Sequence, residues 1–374
     1  MDRDAYWPAH ETASGAAWER ATPDSAGLDA AALGRFVALA EATETPWPRD
    51  LRAHLDGGAF EPPPDNAVLA PIAPRSGPAG LVLCGGRIVA EWGDTARTDA
   101  TFSVAKSYLS LLAGIAVGDG LIDDIDAPVG RLVHDGGFEG PHNGAITWRH
   151  LLQQTSEWEG TLFGKSDVID RGRTLASGGH ERKGWPRPLQ TPGTYWEYND
   201  VRVNRLSLAL MRRFDRELPE VFAERIMRPI GASETWRWIG YDNADVRMED
   251  GRMLRSVPGG SHWGGGVSIG ARHQARVGLM VLRGGVWQGR ALIGRDWLAK
   301  SFAPCPLNPS YGLMWWLNTN RLRLPSAPEA SVMALGAGGN ITWIDPTHDL
   351  VAVLRWTDTE RLDATLGALL EAVR

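Results

Sequence analysis

Apolar positions recur three and four residues apart across residues 27–43, where Leu28, Leu33, Phe36, Val37 and Leu39 stand among alanines, and this spacing predicts a helix packed on a sheet. Pro46 to Pro64, with its Pro62-Pro63-Pro64 run, predicts an irregular loop. Gly80 to Cys84 and Arg87 to Trp92 are short apolar runs separated by Gly85-Gly86, the signal of a two-residue hairpin. From Ser103 to Val117 the pattern returns to helical spacing through Val104, Tyr108, Leu111, Leu112 and Ile115, and it stops at Gly118 and Gly120. Between Asp123 and Leu282 there is little strand-like alternation. Trp148 to Gln154, Val201 to Arg213 and Glu217 to Met227 read as helices there, so the segment is expected to form an inserted, mainly helical lobe. Strand signals resume at Tyr311 to Leu317, Asn340 to Ile344 and Leu350 to Trp356, and a closing helix places Leu362, Leu366, Leu369, Leu370 and Val373 on one face. Strands at both chain ends with helices outside them predict an α+β fold, its antiparallel sheet assembled from both termini. The expected division is an α/β lobe of residues 1–102 and 284–374 and a mainly helical lobe of residues 103–283, with a cleft between them. No internal repeat or low-complexity tract points to a solenoid.

Composition narrows the function classes. A chain of 374 residues exceeds what one core usually organises, which agrees with two lobes. Only four of its 39 basic residues are lysine, no basic block occurs and the net charge is -6, so nothing would drive binding to a nucleic-acid backbone. Cys84 and Cys305 are too few for a disulfide framework or a metal cage and fit a reducing compartment. Met1 to Ala21 carries Asp2, Asp4, Glu11 and Glu19 without an apolar run, which reads as neither a leader nor a membrane anchor. The expectation is a cytoplasmic protein without a membrane partner; its oligomeric state is left open. Seventeen tryptophans, among them Trp158, Trp185, Trp196 and Trp263 in loop-like stretches, read either as core anchors or as the lining of an aromatic cleft.

Candidate chemistry begins at Ser103-Val104-Ala105-Lys106, where a hydroxyl and an amine lie nearly one helical turn apart and share a face. A serine hydroxyl needs a base within hydrogen-bond reach, and a lysine serves only after losing a proton. Burial and the positive end of the helix dipole both favour that loss, and the free N–H groups of the helix end can hold an oxyanion. By itself the tetrad reads more readily as an ordinary helix start with a solvated lysine. A second constellation, Pro192 to Asp200, places Tyr198 before the Val201 helix, either as a core tyrosine or as a proton relay, with Asp200 as a candidate N-cap. A third, Ala334 to Asn340, is glycine-rich and reads as a hairpin turn or as the source of an exposed N–H. His142 and His150 lack a third ligand at metal spacing, Gly264 to Gly270 has no nucleotide-binding fingerprint, and no metal or cofactor is expected. Glu159 and Asp167 read as solvated loop charges or as contacts to a substrate amine.

Five segments in order resemble the serine β-lactamase-related hydrolases, on the branch of class C β-lactamases, family VIII carboxylesterases and 6-aminohexanoate-dimer hydrolases. They are Ser103 to Ser107; Ile146 to Ser156; Pro192-Gly193 to Tyr198; Trp263 to Gly266 with Ala275 to Gly278; and Tyr311 to Trp316. The resemblance spans residue 78 to the C-terminus. It implies a β-lactamase/transpeptidase-like fold with an all-helical lobe inserted beside the sheet. It implies Ser103 as the acylated nucleophile, Lys106 as its proton acceptor and Tyr198 as the tyrosine of the Y-x-N element. The resemblance implies Asp200 as a substrate-binding residue, standing where that element has asparagine, although a carboxylate cannot donate to a substrate carbonyl as the amide does. Gly336-Ala337-Gly338 replaces the K-T-G or H-x-G strand, so the cation that holds a β-lactam carboxylate is absent, while the Ala337 N–H remains the second oxyanion donor. The expected function is metal-free serine hydrolysis of a small ester through an acyl-enzyme. An amidase of the 6-aminohexanoate-dimer hydrolase type is the alternative, and a catalytically silent ligand-binding relative is the reading from another class.

Overall fold

Six antiparallel strands make the central sheet, in the order Trp316–Leu317, Val332–Gly336, Asn340–Asp345, Leu350–Arg355, Ala79–Cys84, Arg87–Trp92. The two ends of the chain meet where Ala79–Cys84 pairs with Leu350–Arg355, Leu81 lying opposite Val353. Gly85 and Gly86 both take positive φ, 59° and 82°, as the predicted two-residue hairpin requires. The computed structural model describes residues 6–11, 18–173, 183–185 and 187–374. Residues 1–5 and 12–17, part of the stretch read as lacking a leader, lie outside them.

Alternation along the strands gives the sheet two buried faces. Leu81, Leu83, Val351 and Val353 join the core that holds the helices Val104–Gly118 and Ala271–Leu282. Val82, Ala352, Leu354 and Trp343 join a second core with Phe36 and Leu366 of the helices Ala30–Ala42 and Leu362–Leu370. Asp29 caps the first of these by accepting from Ala32 N at 2.8 Å. The fold is therefore the expected α+β arrangement, an antiparallel sheet flanked by helices. Among the described residues no helix is long and apolar enough to cross a membrane.

Short elements depart from the sequence expectation. The loop predicted over Pro46 to Pro64 contains a helix, Leu51–Asp56, capped by Asp50 through Ala53 N at 2.9 Å, with Leu51 and Leu55 buried beside Phe102 and Trp356. The stretch expected to lack strands supplies Arg237–Ile239 and Gly266–Ile269, which form a three-stranded sheet with Asp99–Ala100. Runs of two to four residues are too short for alternation to register. Val332–Gly336 also pairs as a strand, so the glycine-rich segment is the turn between two strands. The buried Arg355 joins the two sheets: its guanidinium donates to Ile269 O at 2.7 Å, Gln274 Oε1 at 2.9 Å and Ala100 O at 3.1 Å, and Nε to Asn340 Oδ1 at 2.7 Å. That anchors the segment leading into Ser103.

Candidate active site

Ser103 sits at the N-terminus of the helix Val104–Gly118, immediately after Phe102, whose φ of 52° is in the left-handed region. Burial of the Phe102 ring against Trp47, Phe60 and Trp356 holds that unfavourable turn. The strand end Val332–Gly336 abuts the same place. A Cβ on Gly336 would lie 1.8 Å from Thr101 O and 3.2 Å from Ser103 N, so only glycine permits this approach. The backbone N–H groups of Ser103 and Ala337 donate no hydrogen bond to any described residue. Both residues line one cleft of about 490 Å³, with Tyr198, Trp316, Arg173 and Arg323. Gly338 and Gly339 close the turn at positive φ.

Lys106 lies in the first turn and is buried, as predicted, but its charge state is not the one expected. Nζ donates to Ser103 Oγ at 2.8 Å, to Gly259 O at 3.2 Å and to Asp200 Oδ1 over a short contact. Three acceptors match the three N–H bonds of an ammonium. Burial alone would push the Lys106 pKa down, yet the Asp200 carboxylate raises it above the ordinary lysine value. The expectation of an uncharged amine is therefore corrected: it counted desolvation and the helix dipole but not a buried counter-ion.

Asp200 is corrected in two respects. It is the first residue of the helix Asp200–Phe214, and the N-cap is Asn199, whose side chain accepts from Arg202 N at 3.1 Å. Nor does its carboxylate reach the substrate cleft. Oδ1 accepts from Lys106, and Oδ2 accepts from Arg173 Nη1 at 2.6 Å and faces His262 Nδ1 at 2.9 Å. Burial would raise the Asp200 pKa, but Lys106, Arg173 and His262 hold it well below the usual carboxylate range. The chain of contacts continues from His262 Nε2 to Glu61, and the Lys183 ammonium sits among Glu61, Asp170 Oδ1 at 3.1 Å and His262 Nε2 at 3.3 Å. Glu61, Asp170 and His262 have the clustering of a metal site. Lys183 already supplies the cation at its centre. Arg173, His262, Glu61 and Lys183 were all missed by sequence reasoning, since each is far from Lys106 in the chain and matches no spacing rule.

Tyr198 is buried, with Lys106 Nζ 4.9 Å from its ring centroid and Trp316 stacked on it at 5.7 Å. Gly260 faces the Ser103–Lys106–Asp200 group so closely that a Cβ there would meet Nζ at 3.3 Å and Oγ at 3.5 Å. Ser103, Lys106, Tyr198 and Ala337 are thus brought together, and Asp200 stands behind Lys106. Other candidates fall elsewhere. His150 Nδ1 accepts from Thr147 N in a capping box and His142 contacts Glu157 O. Asp167 is buried in ion pairs with Arg171 and Arg202, which fits neither reading made for it, while Glu159 is exposed. Trp158 and Trp263 are core anchors, Trp196 packs on Tyr198, and Trp185 is exposed.

Comparison with known proteins agrees with this fold. The sequence profile of the Beta-lactamase family matches residues 79–372. The chain is similar to a 6-aminohexanoate-dimer hydrolase of Paenarthrobacter ureafaciens, 28% identical over 321 residues that span 75% of this chain and 73% of that protein. Among solved structures it is similar to a family VIII carboxylesterase, with a TM-score of 0.57 at 18% identity over 79% of this chain and 91% of that one. A β-lactamase from Mycobacterium bovis superposes with a TM-score of 0.55 at 20% identity over 82% and 97% of the respective chains.

Proposed function

Because the chain belongs to the Beta-lactamase family, we propose that it is a serine hydrolase that cleaves small-molecule esters through an acyl-enzyme on Ser103. The observation that carries this reading is the 2.8 Å contact from Lys106 Nζ to Ser103 Oγ at the rim of a cleft that also holds the unpaired Ser103 and Ala337 N–H groups. At rest Lys106 donates to Oγ; for attack it first passes a proton to Asp200 Oδ1 over their short contact, and the transient amine turns its lone pair to Oγ and takes the Ser103 proton as the oxygen attacks, so no resting neutral amine is needed. The oxygen attacks the ester carbonyl, and the two backbone N–H groups receive the oxyanion. As the intermediate collapses, Tyr198 gives its proton to the leaving oxygen and regains one along Asp200 and Lys106. Water then repeats the sequence on the acyl-enzyme. Every proton is conserved through the cycle.

Ester cleavage is favoured over amide cleavage because an alkoxide leaves with less exacting protonation than an amine. The similarity to a 6-aminohexanoate-dimer hydrolase supports linear amides as the second reading. β-Lactams are disfavoured, since Gly336-Ala337-Gly338 offers no cation at the turn. Ser103→Ala should abolish p-nitrophenyl ester turnover and the mass adduct left by a serine-directed phosphonate, with circular dichroism unchanged. Unaltered ester cleavage in that variant, or no adduct on the wild-type protein, would refute the proposal, and the latter would mark a silent relative.

A further inference from the structure

Arg323 carries a charge that nothing in the described structure neutralises. Its guanidinium makes no ion pair and no hydrogen bond with any described residue, and lies 4.0 Å over the ring of Trp316. Arg323 is exposed, and Trp316 in turn stacks on Tyr198, so the cation lies on an aromatic wall of the cleft that opens on Ser103. The other cleft arginine is already engaged, since Arg173 is ion-paired to Asp200 at 2.6 Å and to Asp170 at 3.6 Å. The same cleft is also lined by the apolar side chains of Trp316, Leu324, Leu335 and Ile341.

The cleft also holds two carboxylates. Asp363 is occupied, accepting from Ser326 N and Oγ at 3.0 Å each. Glu360 is exposed and lies where this cleft meets a neighbouring one lined by Gly338, Gly339 and Thr45. It forms no ion pair with Arg323. A stacked guanidinium with its donor edge free is the arrangement that takes a planar carboxylate in two parallel hydrogen bonds.

We propose that Arg323 is a specificity residue that binds a carboxylate carried by the substrate, so that this cleft prefers esters bearing a carboxylate over neutral ones. The inference rests on the serine-hydrolase reading of the same cleft. It also gives an anion receptor on a different element from the turn that lacks a cation.

The test compares p-nitrophenyl butyrate, the p-nitrophenyl monoester of glutarate and the p-nitrophenyl ester of 4-aminobutyrate. In the wild-type protein the carboxylate ester should exceed the neutral one in kcat/KM by about tenfold or more, the scale of a charge-assisted pair. Arg323→Gln should bring that ratio close to one, and Arg323→Lys should restore part of it. A wild-type ratio near one, a ratio unaltered in Arg323→Gln, or a preference for the ammonium ester would overturn the proposal while leaving serine hydrolysis intact. Equilibrium binding of glutarate to the Ser103→Ala protein, weakened about tenfold or more by Arg323→Gln, reads the anion site without turnover. Equal glutarate affinity in the two proteins overturns the proposal even if no ester is cleaved, whereas failure of the hydrolase reading shows as absent turnover and absent phosphonate labelling.

Discussion

A carboxylate at position 200, where the family's Y-x-N element has an amide, changes the protonation of Lys106. An asparagine there would accept a hydrogen bond but would neither balance an ammonium nor store a proton. Asp200→Asn should therefore lower kcat/KM by about 10² to 10⁴, the usual worth of a positioned proton-transfer group. The residual activity should rise with pH, because Lys106 without its counter-ion can lose a proton. A pH–rate profile of both proteins checks this, and a parallel loss with an unchanged profile shape would contradict it. Stability follows the same pair. Lys106 is raised in the fold, so its contribution is complete below the unfolded value of about 10.4 and is lost as pH climbs through the raised one. Asp200 is lowered, so its contribution is complete above about 3.9 and is lost as pH falls through the depressed value. The departure at Asp200 was legible in the sequence, but its consequence was not, because Arg173 and His262 approach it from separate loops.

At the scale of elements, the long helices and the Gly85-Gly86 hairpin were legible because each repeats one period over many residues. The strand Val332–Gly336 and the three-stranded sheet were not, being short and held by long-range partners. The Gly336–Asn340 hairpin shows what such a junction controls. Gly336→Ala would place Cβ 1.8 Å from Thr101 O, and the strand end must retreat from Ser103 N. The expected result is a loss of about 10² to 10³ in kcat, as for one missing oxyanion donor. Gly278→Ala is the matched control in the helix Ala271–Leu282, away from the hairpin, where the new Cβ meets Val351 Cγ1 at 2.8 Å. It should cost about 1–3 kcal/mol by overpacking and leave kcat unchanged. Thermal melts beside steady-state rates separate the two outcomes, and equal effects on kcat would refute the assignment of the hairpin to the oxyanion site.

Across the whole molecule, the sheet built from both chain ends was legible from where strand signals cluster, whereas the polar framework behind the cleft was not, since arginine and glutamate have no periodicity. Glu157 is the centre of that framework. It accepts from Arg187 Nη1 and Nη2 at 2.6 and 2.7 Å and from Arg202 Nη1 at 2.5 Å, and Arg202 also pairs with Asp167 at 3.2 Å and Glu197 at 3.3 Å. These bonds tie the loops that carry Glu157 and Arg187 to the helix that begins at Asp200. Burial would raise the Glu157 pKa, but hydrogen bonds and charge from Arg187 and Arg202 lower it to about 2. A depressed carboxylate stabilises the fold above its unfolded value, 4.5, and that stabilisation fades as pH falls toward 2. Glu157→Gln keeps the shape but leaves two arginines without their shared anion, which should cost about 3–5 kcal/mol near neutral pH. The difference between variant and wild type should narrow below pH 4.5 and become small near pH 2, because protonation does to the wild type what the substitution does to the variant. Urea midpoints taken across that range measure it. A destabilisation that stays constant with pH would mean that packing around residue 157, rather than its charge, holds the loops to the helix.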